Sequence, residues 1–401
     1  MPEKEVGIDL SGSLLDVLQQ AEEKGLDAVA TEKAYNEYFS FHTRKKAVPY
    51  HGLFELTPLC NLNCKMCYVR LSPEQMGERN LLPAATWIRL IDRAAEAGLM
   101  KASLSGGECL TYPGFDEVYL HLQALGIQTG VLTNGLLLDE ERIRFFQEHR
   151  PALIQITLYG ASEEEYEQVC GARRFEAALA NIHRAREAEL PLFIAITPNR
   201  FLPDGGEALL RLVASLDLPY NINSCLFTPQ PGTGREKDSL DMELEDYIRL
   251  YALRAQLNGA VITPVDPASL PEPAGRSEEQ MTGLRCGAGM NTFTIQWDGT
   301  MIPCSSLFHV RGYPLKDGFE AAWNTIHEAA LRYPIPAECE ACTYNGACPA
   351  CPAVHAQDAP PGHASPRQCR RARRLVESGL ARLNAPENNK YDHGIKKEEA
   401  R

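Results

Sequence analysis

The cysteines constrain this chain more than any other feature. Thirteen lie among 401 residues, and ten of those fall into two groups. Cys60, Cys64 and Cys67 form a front group. Cys286, Cys304, Cys339, Cys342, Cys348, Cys351 and Cys369 form a rear group in the last third, and only Cys109, Cys170 and Cys225 stand apart. An odd count cannot pair completely within one chain. The N-terminus is polar and acidic, without a basic stretch leading into an apolar run, so no secretory signal is expected. No apolar run approaches the ~18 residues needed to span a bilayer. The expected location is cytoplasmic, where thiols stay reduced and clustered cysteines point to metal or redox chemistry.

Composition narrows the partners. Lys and Arg total 40 against 53 Asp and Glu, a net charge of −13. That balance disfavours nucleic acid and anionic membrane as partners. With 44% hydrophobic and 23% charged residues, the chain is of globular composition, not collagen-like, coiled-coil or wholly disordered.

Residues 1–48 read as a helical prelude. Ser13 is a candidate N-cap for the amphipathic stretch LLDVLQQAEEKG, which ends at a glycine. From residue 49 to 260, short apolar runs alternate with helical patterns. The strand candidates are His51 to Thr57, Lys101 to Ser105, Ile127 to Thr133, Leu153 to Tyr159, Leu192 to Thr197 and Tyr220 to Phe227. AATWIRLIDRAAEAG and FEAALANIHRAREAE are among the helical patterns between them. Six β-α units in series predict parallel strands with helical crossovers. Six is short of the eight of a closed barrel, so the expected fold is α/β, a partial (β/α)6 TIM-like barrel. A doubly wound sheet is the alternative. A Pro-rich linker is expected over 261–283, a small Cys-rich α+β domain over 284–385 with a hairpin around Trp297–Gly299, and a polar tail over 386–401.

The front segment reads C60-NLN-C64-KM-C67, directly after the first strand. Three thiolates on a tight loop fall one short of a tetrahedral structural zinc site. They suit three irons of a [4Fe–4S] cube with the fourth iron open to a small ligand. A zinc site completed by a distant ligand, or reduced core cysteines, are the alternatives.

This spacing resembles the radical S-adenosylmethionine (radical SAM) superfamily. Ser105-Gly106-Gly107-Glu108 looks like that family's Gly-Gly-Glu motif for the methionine amino group. Asn134 after the third strand, Thr157 in the fourth and Asn199 after the fifth resemble segments that lie near the SAM ribose, carboxylate or adenine. Met66 stands where many members have an aromatic, and its backbone is expected against adenine. The resemblance offers Arg173 as a partner for the SAM carboxylate, and a solvated helix start is the alternative. Every candidate segment lies at a C-terminal strand end, the face where β/α barrels carry chemistry. Cys109, after Glu108, reads as a small buried hydrophobe.

The rear cysteines fit structural zinc or iron–sulfur equally well by spacing alone. Their arrangement resembles the SPASM domain, the extension found on radical SAM enzymes that mature peptides. The resemblance implies Cys339, Cys342, Cys348 and Cys369 around one auxiliary [4Fe–4S] cluster, and Cys286, Cys304 and Cys351 around another. Seven cysteines for eight positions leave one ligand missing, for which Asp298, His309 or a substrate thiolate are candidates. The implied activity is reductive cleavage of SAM to a 5′-deoxyadenosyl radical, followed by oxidative modification of a ribosomally made peptide or protein. Thioether or other cross-linking and Cys or Ser oxidation all fit. The implied partners are that substrate, an electron donor such as flavodoxin or ferredoxin, and a separate leader-recognition protein. The rivals are small-cofactor synthesis (a tetrapyrrole, for example), RNA modification and a zinc scaffold without activity. The run Arg370, Arg371, Arg373 and Arg374 is the only support for RNA, and such runs are usually a solvated helix face.

Overall fold

The computed structural model describes residues 8–380, apart from 224–225, 228, 230–241, 261, 265, 267–283, 285, 340–341, 345–347, 349–350 and 361. Cys225, most of the Pro-rich segment and the polar tail lie outside the described residues.

Six parallel strands follow one another in chain order: β1 (His51–Glu55), β2 (Lys101–Ser105), β3 (Gln128–Thr133), β4 (Leu153–Leu158), β5 (Leu192–Ile196) and β6 (Tyr220–Ile222). Each pairs in parallel with the next. A doubly wound sheet reverses its strand order at a switch point. The order from β1 to β6 never reverses, so that alternative fails and the open six-unit β/α barrel holds.

The helices between the strands form as their patterns dictate. In Ala84–Glu96 the buried residues are Trp87, Leu90, Ile91 and Ala94, one face at helical spacing. Each large side chain so buried contributes about 1.5–3 kcal/mol. In Phe175–Glu187 the same face is Phe175, Ala178, Ile182 and Ala185, with Asn181 among them. At the N-terminus Ser13 caps Leu14–Glu23, accepting from the Asp16 backbone N–H, while Asp16 returns the bond in a capping box. A second helix, Ala28–Lys45, takes in the basic residues that follow the prelude's first helix.

Two strand ends differ from expectation. The sixth strand stops at Ile222, where Asn221 and Asn223 bring poor strand formers to the sheet edge. At the other edge, β7 (Thr292–Ile295) from the rear segment pairs in parallel with β1, and β8 (Met301–Ile302) turns back antiparallel. This is the expected hairpin, but it extends the barrel sheet. Phe293 packs edge-to-face on Phe54 at 5.9 Å, and Gly52 leaves room for both rings: a Cβ there would stand 2.7 Å from Phe293. Among the described residues, no helix is long and apolar enough to cross a membrane.

Candidate active site

The cysteine loop leaves the C-terminal end of β1 and is fastened from two sides. On one side, Asn63 N donates to the Cys170 carbonyl at 3.0 Å and Lys65 N to that of Val169 at 2.9 Å. These bonds pin the loop to the end of helix Glu163–Cys170, whose Cys170 is itself core. On the other side lie Gly106 and Gly107. Gly107 N donates to the Thr57 carbonyl at 2.6 Å and Glu108 N to that of Leu59 at 2.9 Å. Gly106 has φ +148°, and a Cβ there would lie 2.3 Å from the Thr57 carbonyl oxygen. One on Gly107 would lie 2.3 Å from that of Leu59. Only residues without a side chain let the end of β2 press so closely on the backbone leading to Cys60.

Glu108 is 1% exposed and ties β2 to β3. Its Oε1 accepts from Thr133 Oγ1 at 2.8 Å and Leu110 N at 3.1 Å, and its Oε2 accepts from Asn134 N at 2.7 Å. A carboxylate offers about four lone-pair sites; Thr133, Leu110 and Asn134 take three, and the Cys109 thiol, 3.9 Å from Oε1, is a fourth and weaker donor. Burial pushes the Glu108 pKa up, against these bonds. Asn134 passes the link onward: its Nδ2 donates to Asn61 Oδ1 at 2.6 Å and reaches Cys60 Sγ at 3.7 Å.

Two sulfurs accept from backbone N–H groups, Cys60 from Leu62 at 3.3 Å and Cys67 from Arg70 at 3.2 Å. Cys64 is buried beside Met66 and Leu62 in the core, so Met66 offers only backbone to a ligand. Burial pushes the Cys60 thiol up to about 12, with Glu108, Cys64 and Cys67 adding to the rise and Leu62 N–H opposing it. Ionising this thiol therefore calls for a cation bound by sulfur. The donor set of soft thiolates, N–H groups aimed at sulfur and no neutralising Lys or Arg among the causes of the shift fits an iron–sulfur cluster. Among the described residues no three His, Cys, Asp or Glu side chains converge on a single ion. Ligands of a cube each bind a different iron and need not converge.

The remaining front residues divide. Asn199 is fully buried and braces the end of β5, donating to the Thr197 carbonyl at 3.1 Å and accepting from Phe201 N at 3.0 Å. Thr157 is half-buried on β4. Arg173 is half-exposed and pairs with Glu164 and with Glu167 at 3.2 Å on helix Glu163–Cys170. Sequence reasoning did not single out Tyr159. Its half-buried side chain lies within electrostatic reach of Cys64, Cys170, Cys60 and Cys67, and desolvation drives the phenol's pKa well up. Its place beside Gly160 at a strand end was the available signal. Cys109 is core, its thiol donating to the Leu132 carbonyl at 3.2 Å.

At the rear, Cys304 follows β8, and its neighbours in charge are Cys286 and Cys351. Burial pushes the Cys304 thiol up to about 12, and those two cysteines raise it further. Tyr333 stands beside Cys351 and Cys304 with its hydroxyl buried and unpartnered among the described residues. Asp298 Oδ1 accepts from Thr300 N at 2.9 Å in the hairpin turn, and His309 packs its ring against Tyr333, centroids 6.4 Å apart. Cys369, on helix Pro366–Glu377, faces Cys342. Cys339 faces His355, whose Nε2 lies 4.0 Å from its sulfur. The Ser365 backbone N–H donates to His355 Nδ1 at 2.9 Å, so the neutral ring carries its proton on Nε2, toward Cys339. Cys348 is half-buried in the same segment. The arginine run is not a solvated face throughout: Arg371 is 5% exposed with its guanidinium 4.7 Å from the Tyr247 ring, and Arg374 pairs with Glu245 at 3.3 Å.

Comparison with known proteins places this geometry. Residues 54–213 match the radical SAM superfamily. The sporulation killing factor maturation protein SkfB of Bacillus subtilis is 24% identical over 273 residues, covering 67% of this chain and 63% of SkfB. This chain thus spans a little under two thirds of SkfB. The antilisterial bacteriocin subtilosin biosynthesis protein AlbA, also of B. subtilis, is 22% identical over 348 residues, 84% of this chain and 74% of AlbA. Among solved structures, Streptococcus suis SuiB bound to the precursor peptide SuiA superimposes with a TM-score of 0.63 at 16% identity, over 84% of this chain and 80% of SuiB. The fold is shared along most of the chain. With the three-cysteine loop at the head of the matched region, residues 54–213 are a radical SAM domain.

Proposed function

We propose that the chain is a radical SAM enzyme that oxidatively modifies a side chain of a ribosomally made peptide or protein. The carrying observation is the cysteine loop, locked by Gly106, Gly107, Glu108 and Asn134 within the radical SAM domain. The relatives named for maturing a killing factor and making a bacteriocin support a peptide substrate. A [4Fe–4S] cluster with SAM, when bound, supplies one-electron cleavage of the sulfonium to a carbon radical able to take a hydrogen atom from an unactivated C–H.

The chain's own residues supply the rest. Cys60, Cys64 and Cys67 hold the front cluster. The backbone at Gly106–Glu108 and the Glu108 carboxylate, whose weakest donor is the Cys109 thiol, receive the methionine ammonium. Asn134, Thr157 and Asn199 line the strand ends beside the loop. Arg173 reaches a carboxylate only by leaving Glu164 and Glu167. The rear segment is of the SPASM kind, with Cys339, Cys342, Cys348 and Cys369 around one cluster. Cys286, Cys304 and Cys351 surround the other, whose fourth position is open or not cysteine. Mössbauer or EPR spectra showing two auxiliary clusters with four thiolates each would contradict that vacancy. A flavodoxin or ferredoxin supplies the electron, and a separate protein presents the substrate leader.

Anaerobic reconstitution with iron and sulfide, followed by SAM and dithionite, tests the reading. 5′-Deoxyadenosine is the expected product. Its absence, with short Cys-containing peptides present as well, would overturn the proposal.

A further inference from the structure

A buried polar bridge runs between the two cysteine groups, and the function proposed above leaves it unused. Glu55, the last residue of β1, has no exposed surface. Its Oε1 accepts from the Tyr68 hydroxyl at 3.3 Å, and Ser305 Oγ donates to the Tyr68 oxygen at 3.4 Å. Both contacts are longer than the ~2.7–2.8 Å of an optimal O–H···O bond, so the bridge has room to tighten. Tyr68 directly follows Cys67 and Ser305 directly follows Cys304. One carboxyl therefore connects, through one phenol and one alcohol, to the neighbour of a cysteine in each group. The donors all point one way, from serine to tyrosine to glutamate.

The carboxyl is set up to change its protonation. Tyr68 faces it from the cysteine loop, and Gln296 and Asp298 face it from the β7–β8 hairpin; none of these is a cation. Its Oε2 is buried with no hydrogen-bond partner among the described residues. Burial, joined by the charge of Asp298, pushes its pKa up to about 7, against the ionising pull of Tyr68 and Gln296. A buried carboxyl with an unused oxygen and no counter-ion is costly to keep ionised and has an open place for a proton.

We propose that Glu55 is the internal proton acceptor of this enzyme, reached through Tyr68, and that its protonation is coupled to reduction of the centres held by the flanking cysteines. The inference rests on the function proposed above. The balance is simple: one electron enters a centre, one proton passes from water to the carboxylate, and the net charge of the interior is unchanged. In a low-dielectric interior that compensation is favoured, because an uncompensated added charge is poorly screened. An oxidative modification that sheds an electron from its substrate also sheds a proton, and the bridge ends where that proton can be stored.

The test is an EPR-monitored dithionite titration of the anaerobically reconstituted protein at about pH 6 and about pH 8. In the unsubstituted protein the reduction equilibrium of at least one centre is expected to shift by up to about tenfold per pH unit near pH 7. Glu55→Gln keeps the shape of the side chain and an oxygen to accept from Tyr68, and is expected to abolish that dependence. Tyr68→Phe is expected to weaken it. A slope that survives in Glu55→Gln, or no slope in the unsubstituted protein, would overturn the inference. Infrared titration of the reconstituted full chain provides a second reading. A buried carboxyl band lost near pH 7, and absent from Glu55→Gln, supports the acceptor; no such band overturns it. A chain that holds iron but yields no 5′-deoxyadenosine fails the proposed function, and these two measurements still decide the role of Glu55.

Discussion

The two cysteine groups are held in different ways. The front loop is placed by the fold itself: glycine contacts, backbone bonds from Gly107 and Glu108, and the Asn134 side chain fix it to the ends of β2 and β3. Of the rear cysteines, Cys304 and Cys351 pack on a small second core of Leu284, Ala288, Leu307, Ala330, Tyr333 and Ala353. β7 and β8 join that region to the barrel sheet, and helix Pro366–Glu377 adds Arg371 over the Tyr247 ring and Arg374 on Glu245. A core of that size contributes little by itself, and metal binding in such segments is itself folding free energy. The front site is thus a pocket that receives its cluster. The rear is a region whose order its clusters help to create.

That contrast can be broken at several strengths. The largest effect is expected from Cys60→Ala: 5′-deoxyadenosine production falls to background while the rear iron is retained, read by product chromatography and iron content. Loss of all iron would mean the two groups are not independent. Next is Gly107→Ala, which sets a methyl against the Leu59 carbonyl. It is expected to cost about 1–3 kcal/mol of stability by overpacking, seen in thermal denaturation, and to lower front-cluster occupancy selectively.

Glu55→Gln has a smaller, pH-dependent effect. The folded-state pKa of this acid is raised, so the cost of burying it is absent below the unfolded value near 4.5 and fully present above about 7. The variant is therefore expected to gain on the unsubstituted protein as pH rises through that window. The gain is limited to roughly 3 kcal/mol. Melting temperatures at both ends check it, and a gain that grows toward acid would contradict the sign. The smallest effect is expected from His355→Phe, which removes an N–H directed at Cys339. It should make one rear centre harder to reduce with iron content unchanged.

Much of this architecture was legible in the sequence because it is local. Ser13 with Asp16 marks a helix start, and Trp87, Leu90, Ile91 and Ala94 mark a buried helical face. Apolar runs ending in Gly-Gly-Glu or Thr-Asn-Gly mark strand ends. Pairing between distant segments leaves no such mark. Nothing around Thr292–Ile295 announces β1 as its parallel neighbour, since the choice depends on Phe54 and Gly52, far away in the chain. Glu55 reads locally as one polar residue in a strand, and Tyr68 as one aromatic after a cysteine. Their bridge to Ser305 exists only once the hairpin docks. Sequence reasoning gave Glu108 to a ligand's ammonium and did not foresee its bonds from Thr133 and Asn134, because these meet it only in three dimensions.

The most direct measurement is metal and sulfide analysis of the anaerobically reconstituted full chain beside the Cys60→Ala, Cys64→Ala, Cys67→Ala triple variant. Three [4Fe–4S] clusters predict about twelve iron and about twelve sulfide per chain, falling to about eight of each in the variant. Zinc with little iron in the unsubstituted protein, or equal iron in both, would contradict the account.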